Sequence, residues 1–466
     1  MAARSADRPA GSVAVARSAL GAAERVRGWV DKRPVWLRWL AVLAVFGVLS
    51  VVLVGRYVPE KEALSRADEY VYIDAVDKAT RGEIVRQGAQ IDDYSLGLIA
   101  CRGIELHGPM GDRCGGPYDR STFPYRGGIT SADIHSPVYY FVTAGGAMAI
   151  QAVTPVDELL NAARLTGAVW LALGLTALVG LARTLGAGRL ASGAAGLLVL
   201  AAPSVRWTNV YITPDALNLL AGSVIVLAAV MYARGRWSPW WFVAASALAA
   251  AVKAQNSIAS ALAALFLVLL AATVPEGRTW SRFWRYLGVG VAGVGAALAV
   301  QFGYLALRSA WSLAPAPEIS ASAPLSYRSV LAQARAFLIG VIAGPDASYE
   351  GFAVPPRPST FAVLIGWLVA AAVIGGALFV LHTTAEQTRF AQATALSVLL
   401  AGPLFYLMMY VATGRAFDLP DRYGMVMLPA MAAVLALLAG RRWVQGIMIG
   451  LAALAYAEAL TRLSMI

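Results

Sequence analysis

The chain has 466 residues, of which 59% are hydrophobic and only 14% charged, and its mean hydropathy is +0.63. So small a charged share, against about a quarter in soluble domains, excludes a water-soluble globular protein. The formal charge of +11 does not signal a nucleic-acid partner, because the basic residues fall in short clusters between apolar runs rather than on one soluble face.

Residues 1–38 hold eight basic side chains (Arg4, Arg8, Arg17, Arg25, Arg27, Lys32, Arg33, Arg38) against three acids and no long apolar run, so this tail is expected in the cytoplasm. The run from Leu40 to Gly55 lies too deep, and lacks a small-residue cleavage site, for a removable signal; 39–57 reads as an uncleaved anchor. The stretch 58–160 carries fifteen of the chain's 27 acids and nine basic residues, the composition of a large loop on the far side of the membrane. It holds both cysteines, Cys101 and Cys114, among several glycines. A disulfide between them in an oxidising compartment would add about 3 kcal/mol of stability on the chain-entropy model. Two thiols with His107 supply too few ligands, at unhelpful spacing, for a structural metal.

Within that loop, 136–153 (SPVYYFVTAGGAMAIQAV) is apolar but of marginal length for a crossing. Five later basic clusters (Arg183/Arg189, Arg234/Arg236, Arg278/Arg282/Arg285, Arg389, Arg441/Arg442) all face the cytoplasm only if 162–182 runs from outside to inside. On that reading 136–153 is a re-entrant or interfacial helix, weakened as a straight crossing by Gly145-Gly146. Spans are expected at 162–182, 190–204, 214–233, 239–252, 257–274, 286–307, 360–382, 391–412, 422–440 and 443–461. With the anchor, the fold class is an all-α polytopic membrane protein of about 11 transmembrane helices. Residues 39–466 form its membrane domain, and 308–359 a second external loop in which seven prolines predict irregular chain.

Charge near hydrocarbon is costly and is kept for binding or catalysis, which singles out polar groups at external span ends. Asp68 and Glu69 follow the anchor in SRADEYVYIDAVDKATRGEIVRQG, where they are either a solvated face or, partly desolvated, a general base. Asp215 opens a span in NVYITPDALNLL, as a first-turn cap or as a site residue. Lys253, in ALAAAVKAQNS, either snorkels or meets an anion. Arg415 and Arg422, in TGRAFDLPDRYGMVMLP, pair with Asp418 and Asp421 or grip a phosphate. His135, one of three histidines, reads as a hydrogen-bonding strut rather than a metal ligand. No phosphate-cradling glycine loop, zinc-protease signature or nucleophile elbow is present.

In order along the chain, these pieces resemble the GT-C superfamily of membrane glycosyltransferases, most closely an uncharacterised bacterial branch of predicted inner-membrane proteins. DEYVY is similar to that branch's Asp-Glu element, HSPVYYF (His135 to Phe141, including Tyr139) to its His-Pro-Pro-Leu-Tyr-Tyr element with Ser136 in place of proline, and TPDAL to its Asn/Ser-x-Asp-Ala-Leu element. AVKAQ resembles the lysine element that follows a span, and DRYGMVMLPA the late Arg-Tyr…Leu-Pro element at Arg422 and Tyr423. The resemblance covers most of 39–440. It implies transfer of a sugar from a polyprenyl-phosphate donor to an extracytoplasmic cell-envelope acceptor in a bacterial plasma membrane. Asp68, with Glu69, would be the base; Lys253, Arg415 and Arg422 would bind the donor phosphate; His135, Tyr139, Asp215 and Tyr423 would line the substrate. Tyr72 stands where relatives often carry histidine, so a divalent metal is not favoured and no other cofactor is expected. The alternatives are a lipid or polysaccharide transporter, which calls for mid-span charges and internal symmetry, and a catalytically silent envelope-assembly scaffold.

Overall fold

The computed structural model describes residues 34–58, 63–65, 68–105, 119, 128–273, 280–315, 325–343, 360–380, 384–414 and 419–461. Among them the protein is helical, with two isolated β-bridges, Leu64 to Ile104 and Gln90 to Ile129, and no strand.

Helix α1 (Val35–Tyr57) is the anchor. At 1.5 Å per residue its 23 residues reach about 34 Å, enough for the hydrocarbon layer. Its buried residues Phe46, Ser50, Leu53, Val54 and Tyr57 recur at helical spacing on one face, while Val45, Val48, Val51 and Val52 stay exposed as apolar surface suited to lipid. The segment after α1 then builds α2 (Glu69–Thr80), α3 (Asp93–Arg102) and α4 (Val138–Val153). The long α5 (Leu159–Leu185) follows, and the chain bends by 64° between α6 (Arg189–Leu200) and α7 (Pro203–Val210), where Pro203 opens the second helix. A 3-10 turn, Pro214–Leu217, leads into α8 (Asn218–Ala233); α9 (Pro239–Val252) and α10 (Ser257–Thr273) flank a second 3-10 turn at Ala254–Asn256. Then come α11 (Trp280–Ala310), α12 (Tyr327–Arg335), α13 (Thr360–Gly375), α14 (Ala385–Thr413), a 3-10 segment Asp421–Met427 running into α15 (Leu428–Leu438), and α16 (Arg442–Thr461).

Among the described residues helix covers most of each expected span, but the one expected at 190–204 is broken at Ala201-Ala202. Eight are long and apolar enough to cross a membrane, the bent α6–α7 pair makes a ninth, and α9 and α13 are shorter apolar helices. One local reading is corrected. Residues 325–343 are not irregular: α12 continues through a π turn, Ala336–Gly340, to Ala343. The seven prolines all lie outside that interval, and Ser326 caps its first turn through the Ser329 N–H. The expected helix at 136–153 is present as α4, and a Cβ on Gly146 would come within 2.9 Å of Thr166 on α5, so this glycine serves close helix approach.

Two hydrophobic cores divide the interior. One joins the membrane helices around α5, α8 and α15; the other joins α2, α3, α4 and the start of α5, with Leu64, Ile73, Ile99, Tyr140 and Ile212 inside it. Backbone contact brings elements together at their seam. A Cβ on Gly167 would sit 1.9 Å from the Asn209 carbonyl, and one on Gly222 1.9 Å from the Val426 carbonyl, so these two glycines let the end of α7 and the 421–427 segment lie directly on α5 and α8.

Candidate active site

Four charged side chains from distant parts of the chain meet at that seam. Asp215 is fixed first. Thr213, at the start of its 3-10 turn, accepts the Asp215 N–H (3.3 Å) and donates to the carboxylate at 3.1 Å, and Asn218 donates to it at 2.8 Å. Lys253 ion-pairs with Oδ1 and Arg422 reaches Oδ2 at 3.0 Å. Lys253 sits in extended backbone between α9 and the 254–256 turn, which is why an ammonium following a run of alanines faces inward rather than snorkelling. Its Nζ lies 4.5 Å from the centre of the Tyr423 ring; the Arg422 guanidinium lies 5.5 Å from Trp207 and 5.7 Å from Tyr423. Two cations share one carboxylate against aromatic walls, which hold them in place and keep their charge concentrated.

Asp68 completes the cluster from the other core. Its Oδ2 is 3.9 Å from Arg422, a long contact, and its side chain is 19% exposed where those of Asp215 and Lys253 are 1%. Among the described residues it is also the one non-glycine with positive φ (64°), its carbonyl receiving the N–H groups of Val71 and Tyr72 at 3.1 Å each. A left-handed aspartate costs about 1–3 kcal/mol and persists where surroundings hold it; such strain gathers at functional sites.

Glu69 is brought elsewhere. Arg164 of α5 grips it with two 2.8 Å bonds, and the backbone N–H groups of Ser65 (2.7 Å) and Ile212 (3.0 Å) donate to its remaining lone pairs. With four donors on a fully buried carboxylate, Glu69 has no position left for a reacting proton; contrary to its expected place beside Asp68 in the chemistry, it braces α2.

His135 and Tyr139 close the side of the cluster that faces α2. The Tyr72 hydroxyl lies 3.4 Å from His135 Nε2, and the rings are 5.9 Å apart. Burial, then the nearby Lys253, push the His135 imidazole down to about 3, so it is neutral at physiological pH; burial and the Asp68 charge raise Tyr72 well above 10 and keep its proton. Tyr139 accepts the Thr213 N–H at 3.0 Å and so supports the Asp215 turn. Ser136, where the family element has proline, donates to the Ala251 carbonyl, two residues before Lys253.

Asp68, His135, Tyr139, Asp215, Lys253, Arg422 and Tyr423 thus come together. Arg415 and Cys114 lie outside the described residues; Cys101 is in the last turn of α3. Sequence reasoning missed Trp207, Thr213, Asn218 and Arg164. The signal for the first three was their place beside TPDAL in a broken span, and for Arg164 a guanidinium inside an apolar run, which demands a partner. Among the described residues no three His, Cys, Asp or Glu side chains are grouped to hold a metal.

No protein-family model matches the chain, and no curated protein matches it. Among solved structures it is similar to ArnT from Cupriavidus metallidurans bound to undecaprenyl phosphate (16% identity, TM-score 0.46, covering 92% of this chain and 64% of that one). It is similar also to the arabinofuranosyltransferase AftD from mycobacteria (16%, 0.45, 91% and 27%). A third is the Archaeoglobus fulgidus oligosaccharyltransferase tethered with an acceptor peptide (13%, 0.44, 91% and 54%). The chain spans less than two thirds of each of these structures, and with TM-scores below 0.5 the chemistry has to be argued from the side chains.

Proposed function

We propose that the chain is an inverting glycosyltransferase of the GT-C kind, moving a sugar from a polyprenyl-phosphate donor to a cell-envelope acceptor on the extracytoplasmic face. The observation that carries this reading is the placement of a partly exposed carboxylate, Asp68, beside two buried cations, Lys253 and Arg422, that are both held on Asp215. Asp68 accepts the acceptor hydroxyl proton as the new carbon–oxygen bond forms at the sugar and the sugar–phosphate bond breaks. The donor phosphodiester carries one negative charge and the departing lipid phosphate carries two. Fixed cations beside it therefore favour the transition state over bound donor, which raises the rate rather than merely the affinity. Asp215 holds both cations in register and, by neutralising one of them, keeps product from binding too tightly.

Charges gathered at one end of the helices, rather than along a path through them, favour this reading over transport. In the proposed orientation a reporter fused after Gly235 is cytoplasmic. The functional test is transfer from radiolabelled polyprenyl-phosphate sugars by purified protein. Wild type should label an envelope acceptor and Asp68→Asn should not; equal turnover by the variant would remove Asp68 as the base.

A further inference from the structure

His135 reaches the rim of the charged cluster on the short turn 132–137, and one 3-10 turn, Ala132–Ile134, is all the regular structure that supports it. The support comes from α11, a helix that gives no side chain to the cluster. Tyr304 on α11 directs its hydroxyl at two carbonyls, those of Asp133 (2.6 Å) and His135 (2.7 Å). One helical turn on, and on the same face, Arg308 Nε meets the buried Asp133 carboxylate at 2.6 Å. The end of α11 is anchored in its turn: Leu313 N–H donates to the Gln87 carbonyl (2.8 Å) and Gln87 Nε2 to the Ala314 carbonyl (2.9 Å). Most of α11 is exposed apolar surface, only 17% of its apolar window being buried, so these polar contacts with the segment after α1 are not a by-product of deep packing.

We propose that Tyr304 and Arg308 are positioning residues of the site: through Asp133 and the carbonyls flanking His135 they fix the 132–136 turn, and with it His135 against Tyr72 on the Asp68 side. The kinetic consequence rests on the glycosyltransferase reading; the structural one does not. A carbonyl pair and a buried carboxylate that lose their donors must open toward water, because unpaired buried acceptors are costly.

Tyr304→Phe removes one hydroxyl and no charge. Hydrogen exchange at the amides of residues 134–136 should quicken by about tenfold or more, the effect of losing one to two hydrogen bonds. His135, assigned among the chain's three histidines by the loss of its resonance in His135→Gln, should titrate at least one pH unit higher in the opened turn. Arg308→Met should loosen the turn further by stranding Asp133, and Asp133→Asn combined with Arg308→Met should restore much of the protection. Arg308→Lys, which keeps the charge, stays close to wild type as the control, and Arg308→Met carries the test if Tyr304→Phe does not fold. Undecaprenyl phosphate binding should hold within about twofold in these variants while sugar transfer falls on the order of tenfold or more, a split expected of positioning. Unchanged exchange and unchanged His135 titration in folded Tyr304→Phe and Arg308→Met would overturn the proposal. Wild type that transfers no sugar would instead defeat the functional reading, and the exchange result would still decide the role of the turn.

Discussion

Asp68 and Glu69 are neighbours in sequence and opposites in the fold. Glu69 is sealed between α2 and α5 with four donors on its carboxylate, while Asp68, one residue earlier, keeps a partly exposed side chain and lies 3.9 Å from Arg422. Arg164 and Arg422 differ in the same way: the first is spent on one carboxylate, the second divides itself between Asp215 and Asp68 beneath aromatic rings. Full burial marks the pair that stabilises, and partial exposure marks the carboxylate proposed to react. The left-handed backbone at Asp68 is what turns two consecutive carboxylates toward different partners.

The largest effects should separate the two pairs by kind. Asp68→Asn should lower sugar transfer by about 10²–10⁴-fold, the range for a lost general base, with little change in thermal midpoint. Arg164→Met should do the reverse, costing about 3–5 kcal/mol of stability by leaving Glu69 buried and unpaired, and Glu69→Leu added to it should recover much of that in a denaturation assay. A variant at Glu69 that folds normally yet loses all transfer would break the comparison.

Smaller effects sharpen it. Asp68→Gly should abolish transfer while raising stability by about 1 kcal/mol, because glycine occupies φ = 64° without strain; a lower melting temperature would contradict the claim that the strain is kept for function. The pH response of His135 should be structural rather than catalytic. Its folded-state value near 3 lies below the ordinary 6.5, so the stability it contributes is present above pH 6.5 and is lost as pH falls from there toward 3, at up to about 1.4 kcal/mol per pH unit. Asp74, raised by burial, acts in the opposite sense over the lower carboxylate range. In His135→Gln the acid-induced fall in stability should flatten between pH 6.5 and 5, whereas the pH–rate profile above pH 5 should keep its shape.

Much of this was legible in the sequence because membrane burial writes strong signals. Long apolar runs give the helices, and the polar residues at span ends, Asp215, Lys253 and Arg422, are conspicuous since each must find a partner. Illegible were features that depend on direction rather than composition. Nothing in DEYVY tells which carboxylate turns inward, since that follows from one backbone dihedral and from Arg164, some 95 residues on. The close approach of Thr166 to Gly146 is invisible in composition, and α12 hides within a loop whose prolines flank it.

The most direct test of the central claim is the affinity for undecaprenyl phosphate in two single variants. Asp68 and the lipid phosphate compete for Arg422, so Asp68→Asn should bind the phosphate as tightly as wild type or more so, while Arg422→Gln should bind it at least about tenfold more weakly. Affinities that stay equal in wild type and both variants, or that fall in Asp68→Asn and not in Arg422→Gln, would contradict the division of labour between base and phosphate clamp.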